Sequence, residues 1–216
     1  MKSKTYKMTT IALLAAMAFV MVVFCRIPVV LFLEYEPKDL IITLGGFIWG
    51  PLTSFVVSVI VSFIEMITIS EDGIIGFIMN IISTCSFACT ASFIYKKKRT
   101  LSGAVIGLCS GTLLMVIVMM LWNYLITPLY MGYPRAAVAE LLLPAFLPFN
   151  LIKGGLNATF TFMLYKPLTT ALRKAGYIPA SPDTGTKRRK PVGLWILSGI
   201  IIITCVLLIL TLNGVI

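Results

Sequence analysis

Residues 45–54, Gly45-Gly-Phe-Ile-Trp-Gly-Pro-Leu-Thr-Ser54, lie in the middle of an apolar stretch that begins at Asp39 and ends at Ile69. That stretch, about 30 residues, is too long for one membrane-crossing helix of roughly 20 and short for two. Pro51 cannot donate a backbone hydrogen bond, and Gly45, Gly46 and Gly50 weaken the helix beside it. Whether the chain breaks at Gly50-Pro51 decides the side on which every later segment emerges.

Charge settles the choice. With the break, helix 1 (about 8–30) runs outward, a short helix 2 (about 38–49) returns and helix 3 (about 51–69) goes out. Helix 4 (about 74–95) comes in and helix 5 (about 102–126) goes out. Residues 134–147 stay outside as a short helix or re-entrant piece, and helix 6 (about 149–172) returns. The run Lys96-Lys97-Lys98-Arg99 then shares the cytoplasmic side with Lys2, Lys4, Lys7, Lys166, Arg173, Lys174 and the run Lys187-Arg188-Arg189-Lys190. Glu34, Glu36, Asp39, Glu65, Glu71, Asp72 and Glu140 fall at or near the outer face. Without the break, the 96–99 run moves outside, against the positive-inside rule.

Composition places the same chain in a bilayer. Of 216 residues, 59% are hydrophobic and 12% charged, against roughly 25% charged in ordinary soluble domains. The expected fold is an all-α membrane protein: a six-helix transmembrane bundle with a short helix 2 and an additional C-terminal transmembrane helix. Residues 1–175 form the bundle, 176–191 a basic cytoplasmic linker, and 192–213 the extra helix, which carries no charge and reads as an appendage. The N-terminus is cytoplasmic, and the apolar run after Met1–Lys7 outlasts a signal-peptide core, so it reads as an uncleaved first helix. The net charge of +10 reads as topology rather than nucleic-acid binding.

Several chemistries drop out. There is no histidine, which removes HExxH zinc sites, Ser-His-Asp triads and histidine proton relays. No phosphate-binding G-x-x-x-x-G-K-[ST] loop occurs. The five cysteines sit within or at the edges of apolar spans, without CxxC or loop disulfide spacing, and no metal site is expected. An intramembrane enzyme would need an acid/base pair, for which only Asp39 and Glu65 are candidates. A stand-alone secondary carrier for a small heteroaromatic vitamin is the alternative reading, but such carriers usually show two inverted halves, and no internal repeat is visible.

What remains is a set of polar groups at one membrane level. Asn150 and Lys153 share a helical face at the outer end of helix 6. Asn123 and Thr127 lie at the outer end of helix 5, and Glu65 near that of helix 3. Asp39 opens helix 2, where it suits both capping and ligand contact. Intramembrane ionisable groups are costly and point to function, although snorkelling suits Lys153 and helix–helix hydrogen bonding suits the asparagines. Two amides, an ammonium, the aromatics Tyr35, Tyr124, Tyr130, Tyr133 and Phe149, and methionines such as Met131 suit a flat, heteroaromatic, hydrogen-bonding ligand. Pro128, Pro134, Pro144 and Pro148 shape the outer loop as a candidate lid. On helix 1, Ala12 and Ala16 make a small-xxx-small face for close helix approach in lipid.

The segments "NYLITPLYMGYP" (123–134), "LLPAFLPFNLIKGG" (142–155) and "LEYEPKDL" (33–40), after a helix carrying Ala12-x-x-x-Ala16, resemble the riboflavin-specific S components of energy-coupling factor (ECF) transporters. The likeness runs from about residue 5 to 174, and "PFNLIKG" is its most specific part. It implies a non-enzymatic subunit of the bacterial plasma membrane, with riboflavin as transported ligand rather than cofactor. It further implies docking through the alanine face on a T component and two ATPase subunits, and flavin-ring contact by Asn123, Asn150 and Lys153. The C-terminal span departs from that six-helix pattern.

Overall fold

The computed structural model describes residues 4–31, 33–70, 72–174 and 192–212. The break falls where charge placed it. Helix α2 (Lys38–Trp49) ends at Gly50, and α3 (Pro51–Thr68) begins at the next residue. Gly50 has φ +98°, a left-handed conformation strained for any side chain, and Pro51 follows with the fixed φ that suits a helix start.

The first helix departs from expectation. Helix α1 (Lys4–Phe24) stops short of residue 30, and strands β1 (Ile27–Val30) and β2 (Leu33–Tyr35) form an antiparallel hairpin. Arg26 ends the apolar run, Pro28 removes a helical donor, and Ile27, Val29 and Val30 are β-branched, so the stretch favours extended backbone.

Helix 4 is one continuous rod: α4 (Gly73–Thr84), a π-helical turn (Cys85–Cys89) and α5 (Thr90–Lys97). Helix α6 (Leu101–Leu125) follows, then the short α7 (Thr127–Met131) and α8 (Arg135–Leu141). A second π-helical turn (Leu142–Phe146) absorbs Pro144 and leads into α9 (Leu147–Lys174). The prolines at 144 and 148 therefore bend a continuous helical stretch rather than interrupt it. Helix α10 is Val192–Leu212, and the expected linker 176–191 lies outside the described residues. Among the described residues, five helical stretches are long and apolar enough to cross a membrane.

The core joins α1, α2, α3, the α4–α5 rod, α6 and α9 around Phe47, Val57, Phe87, Tyr95, Leu108, Met115 and Phe162. In lipid such packing rests on van der Waals fit and close backbone approach, since acyl chains are as apolar as leucine. Gly103, Gly107 and Gly111 supply that approach, four residues apart on the α6 face against the rod. A Cβ on Gly107 would stand 2.7 Å from the Ala91 carbonyl oxygen, and one on Gly111 2.5 Å from that of Phe87. On the other side, Thr112 Oγ1 donates to the Gly154 carbonyl at 3.3 Å and locks α6 to α9.

Helix α10 is more than an appendage: it packs on α9 and against the hairpin. Cys205, Ile201, Ile202, Ile209 and Leu212 share one cluster with Val29, Tyr35, Phe149, Ile152 and Leu156.

Gly111→Val is expected to destabilise the fold by about 2 kcal/mol, the range for overpacking a tight contact. Gly199→Ala, where an added Cβ meets nothing within 4 Å, serves as the neutral control. Thermal melts of the two purified variants against the parent check the difference.

Candidate ligand-binding site

At the hairpin end of the bundle, Lys38, Asp39, Glu65 and Lys153 are buried and must find partners. Lys38, wholly buried in the first turn of α2, places Nζ 2.7 Å from Glu36 Oε2 and 2.5 Å from Glu65 Oε2 of α3. Asn80 Nδ2 of α4 donates to the same Glu65 oxygen at 3.1 Å. Arg26, just before β1, reaches Glu34 at 3.1 Å and Glu36 at 2.8 Å. The chain of charges thus runs from the hairpin through α2 to α3.

Asp39 anchors a second branch. It does not cap α2, whose N-cap Pro37 has no side-chain hydrogen bond. Its carboxylate instead accepts from Thr84 Oγ1 at 2.6 Å and from Asn157 Nδ2 at 3.1 Å. Lys153 Nζ lies 3.8 Å from the same carboxylate and 3.3 Å from Ser83 Oγ, so the ammonium turns inward instead of snorkelling. Tyr35 donates its hydroxyl to Asn157 Oδ1 at 2.9 Å.

Two ionisable groups in the hairpin and the loop after it show the field. Burial alone would push the Glu36 carboxyl up; the nearby Lys38 ammonium, helped by Lys153 and Arg26, more than reverses this and holds it below the usual range. Burial, then the Asp39 charge, pushes the Tyr35 phenol well above its ordinary value, so it remains a hydrogen-bond donor.

Beside this network lies a cavity of about 470 Å³, within the range of small-molecule sites. Asn123, Asn150, Lys153, Phe149 and Glu65 line it, together with Arg26, Leu33, Glu34, Glu36, Met79, Asn80, Ser83 and Met119. The two asparagines present opposite ends. Thr127 Oγ1 donates to Asn123 Oδ1 at 3.1 Å, which leaves that amide's N–H donors for a ligand. Asn150 Nδ2 donates to the Phe146 carbonyl at 2.8 Å, and its buried Oδ1 has no partner among the described residues. Asn123, Asn150 and Lys153 therefore line one space.

Other expected site residues stand elsewhere. Asp39, Tyr35 and Thr127 are buried behind the cavity, where they hold Lys153, Asn157 and Asn123 in place. Tyr124 and Tyr133 are exposed and do not line it; among the described residues Phe149 lines it, with Met79 and Met119 as apolar neighbours. Tyr130 and Met131 belong to α7, but their side chains lie outside the described residues. Ala12 and Ala16 are exposed on α1, away from the site.

The residues sequence reasoning missed are Lys38, Glu36, Asn157 and the α4 group Asn80, Ser83 and Thr84. Two had a signal. Asn157 lies seven residues after Asn150 and continues its face, and Asn80, Ser83 and Thr84 repeat at three and four.

The model of the ECF transporter substrate-specific component family matches residues 6–165. The chain is 29% identical over 177 residues to the riboflavin transporter RibU of Staphylococcus aureus, covering 78% of this chain and 93% of that one. It is also 29% identical over 164 residues to the riboflavin transporter FmnP of Bacillus subtilis, covering 70% and 85%. The solved S component of a bacterial ECF transporter superposes with a TM-score of 0.67 at 28% identity, over 79% of this chain and 99% of that one.

Because the lowered Glu36 pKa means the folded state binds its proton less readily, its stabilising contribution is complete above the unfolded-state pKa. It is lost as pH falls through the folded one. The parent is therefore expected to lose stability relative to Glu36→Gln only in that acidic window. Paired melts from neutral pH downward check it; a constant difference would contradict the assignment.

Proposed function

The chain belongs to the substrate-specific components of ECF transporters, a family of multi-pass membrane transport subunits rather than enzymes, and from that premise we propose that it captures riboflavin for uptake. The observation that supports this most directly is the complementary amide pair: Asn123 with donors free and Asn150 with a buried acceptor free, beside the Lys153 ammonium. The pyrimidine edge of the flavin ring alternates carbonyl and N–H. Asn150 Oδ1 accepts from the ring N–H, while Asn123 and Lys153 donate to ring carbonyls. Phe149, Met79 and Met119 pack against the ring. The similar proteins of Staphylococcus aureus and Bacillus subtilis, both riboflavin transporters, point to the same ligand.

The cavity faces the outside of the bacterial plasma membrane and the N-terminus lies in the cytoplasm, as the charge distribution requires. Ala12 and Ala16, exposed on α1, allow close approach of a transmembrane T component whose two ATPases drive delivery. Riboflavin is cargo here, and the reading assigns no cofactor.

Riboflavin fluorescence titration of the purified protein tests the site. Asn150→Ala and Lys153→Ala are each expected to weaken binding tenfold or more, ~1.4 kcal/mol, the scale of a lost buried hydrogen bond. Unchanged affinity in the double variant would sink the assigned site. Ala16→Trp is expected to keep riboflavin binding and lose ATP-driven uptake in vesicles that also hold the partner module; retained uptake would refute the α1 docking face.

A further inference from the structure

Helix α10 lies beyond the family match, which ends at residue 165. One face of it is packed: Cys205 is buried, and Ile201, Ile202, Ile209 and Leu212 meet the cluster of hairpin and α9 residues. The other face is exposed, as at Ile196, Ile200, Ile203 and Leu207. Within the bundle, Cys205 and Ile201 sit over Gly155 of α9, at the distance of ordinary van der Waals contact with a Cβ there.

The hairpin touches both α10 and the cavity. Val29, Tyr35 and Leu33 belong to the cluster that α10 joins, and Leu33 and Glu34, with Arg26 and Glu36 at the hairpin's two ends, line the cavity. Such a hairpin does not hold itself. Its strands have four and three residues, its register is irregular between Pro28 and Val30, and Leu31 turns the chain at φ +51°. Two short strands are marginal without outside support, and a leucine in the left-handed region persists only where its surroundings over-determine it.

Tyr35 donates to Asn157 of α9 and packs with Val29 on Phe149 and Ile152, and two further supports hold this wall. On the cavity side the Arg26 ion pairs tie it to Glu34 and Glu36. On the other side is α10. Replacing α10 by lipid would cost little transfer free energy, because acyl chains are equally apolar. What a fixed helix supplies and a fluid chain does not is shape. Loss of that contact therefore acts on hairpin mobility more than on fold stability.

We propose that α10 is a positioning element of the binding site: its Ile201–Ile209 face clamps the hairpin on α9 and so sets how fast bound ligand escapes. The proposal rests on the reading of the cavity as the riboflavin site only for its ligand arm.

The test uses the full chain in lipid nanodiscs. Ile201→Ala with Ile209→Ala loosens the packed face, and Ile203→Ala with Leu207→Ala trims the exposed face as control. Riboflavin release is followed by stopped-flow fluorescence, and hairpin opening by amide hydrogen exchange across 27–35. The packed-face variant is expected to release riboflavin roughly fivefold faster or more, with little change in association rate, and to exchange faster across the hairpin. The control should match the parent in both. Unchanged release, or a lower melting temperature with unchanged hairpin exchange, overturns the proposal. If the parent itself binds no riboflavin, the ligand reading fails, and the exchange comparison alone decides whether α10 clamps the hairpin.

Discussion

Lys38 and Asp39 are adjacent in sequence, opposite in charge and both wholly buried. An unpaired ion in such surroundings costs several kcal/mol, so each draws partners from other elements. Lys38 takes Glu36 and the α3 carboxylate of Glu65; Asp39 takes Thr84 from the α4–α5 rod and Asn157 and Lys153 from α9. Two consecutive residues at the start of a short helix thereby fix the register of α3, α4 and α9 at one end of the bundle. Lys153 is held to Asp39 for the same reason, and its place at the cavity edge follows from charge closure before any ligand is considered.

Close backbone packing brings the opposing wall to that network. The α6 glycines seat the helix on the carbonyls of Ala91 and Phe87. Thr112, directly after Gly111, meets Gly154, where a Cβ would stand 2.5 Å from Thr112 Cγ2. Gly154 follows Lys153 directly, so the "KGG" of α9 does two jobs in sequence: the lysine completes the ion network, and the glycine admits α6. Farther along α6, Met119 and Asn123 then stand across the cavity from Asn150 and Lys153.

How much of this the sequence disclosed depended on whether a feature carried a contrast. Gly50-Pro51 was legible because proline and positive-φ glycine act on the backbone locally and basic residues mark one side. Asn123, Asn150, Lys153 and Glu65 were legible as polar groups in apolar helices. The hairpin was not, since hydropathy does not separate a strand from the end of a helix, although Arg26 and Pro28 carried the signal. The split between cavity-lining Glu65 and buried Asp39 was illegible, because depth along a helix leaves open which side chain faces a partner. Helix α10 offered no contrast at all: with both faces apolar, only Ser198 and Cys205, buried and seven residues apart, hint at the packed side.

On the proposed reading of the cavity, the arrangement separates recognition from access. The free donors of Asn123 and the free acceptor of Asn150 stand on α6 and α9, two long helices locked by the Gly154 contact and the Thr112 hydrogen bond. The groups on the hairpin side, Arg26, Glu34 and Glu36, are already paired with one another. Their charges are paired before a ligand enters. Recognition elements gain from rigidity, because an amide already aimed loses less entropy on binding. A wall that must admit a ligand gains from being the smallest packed element. The long helices thus carry the hydrogen-bonding pattern, and the hairpin of seven strand residues supplies part of the cavity wall.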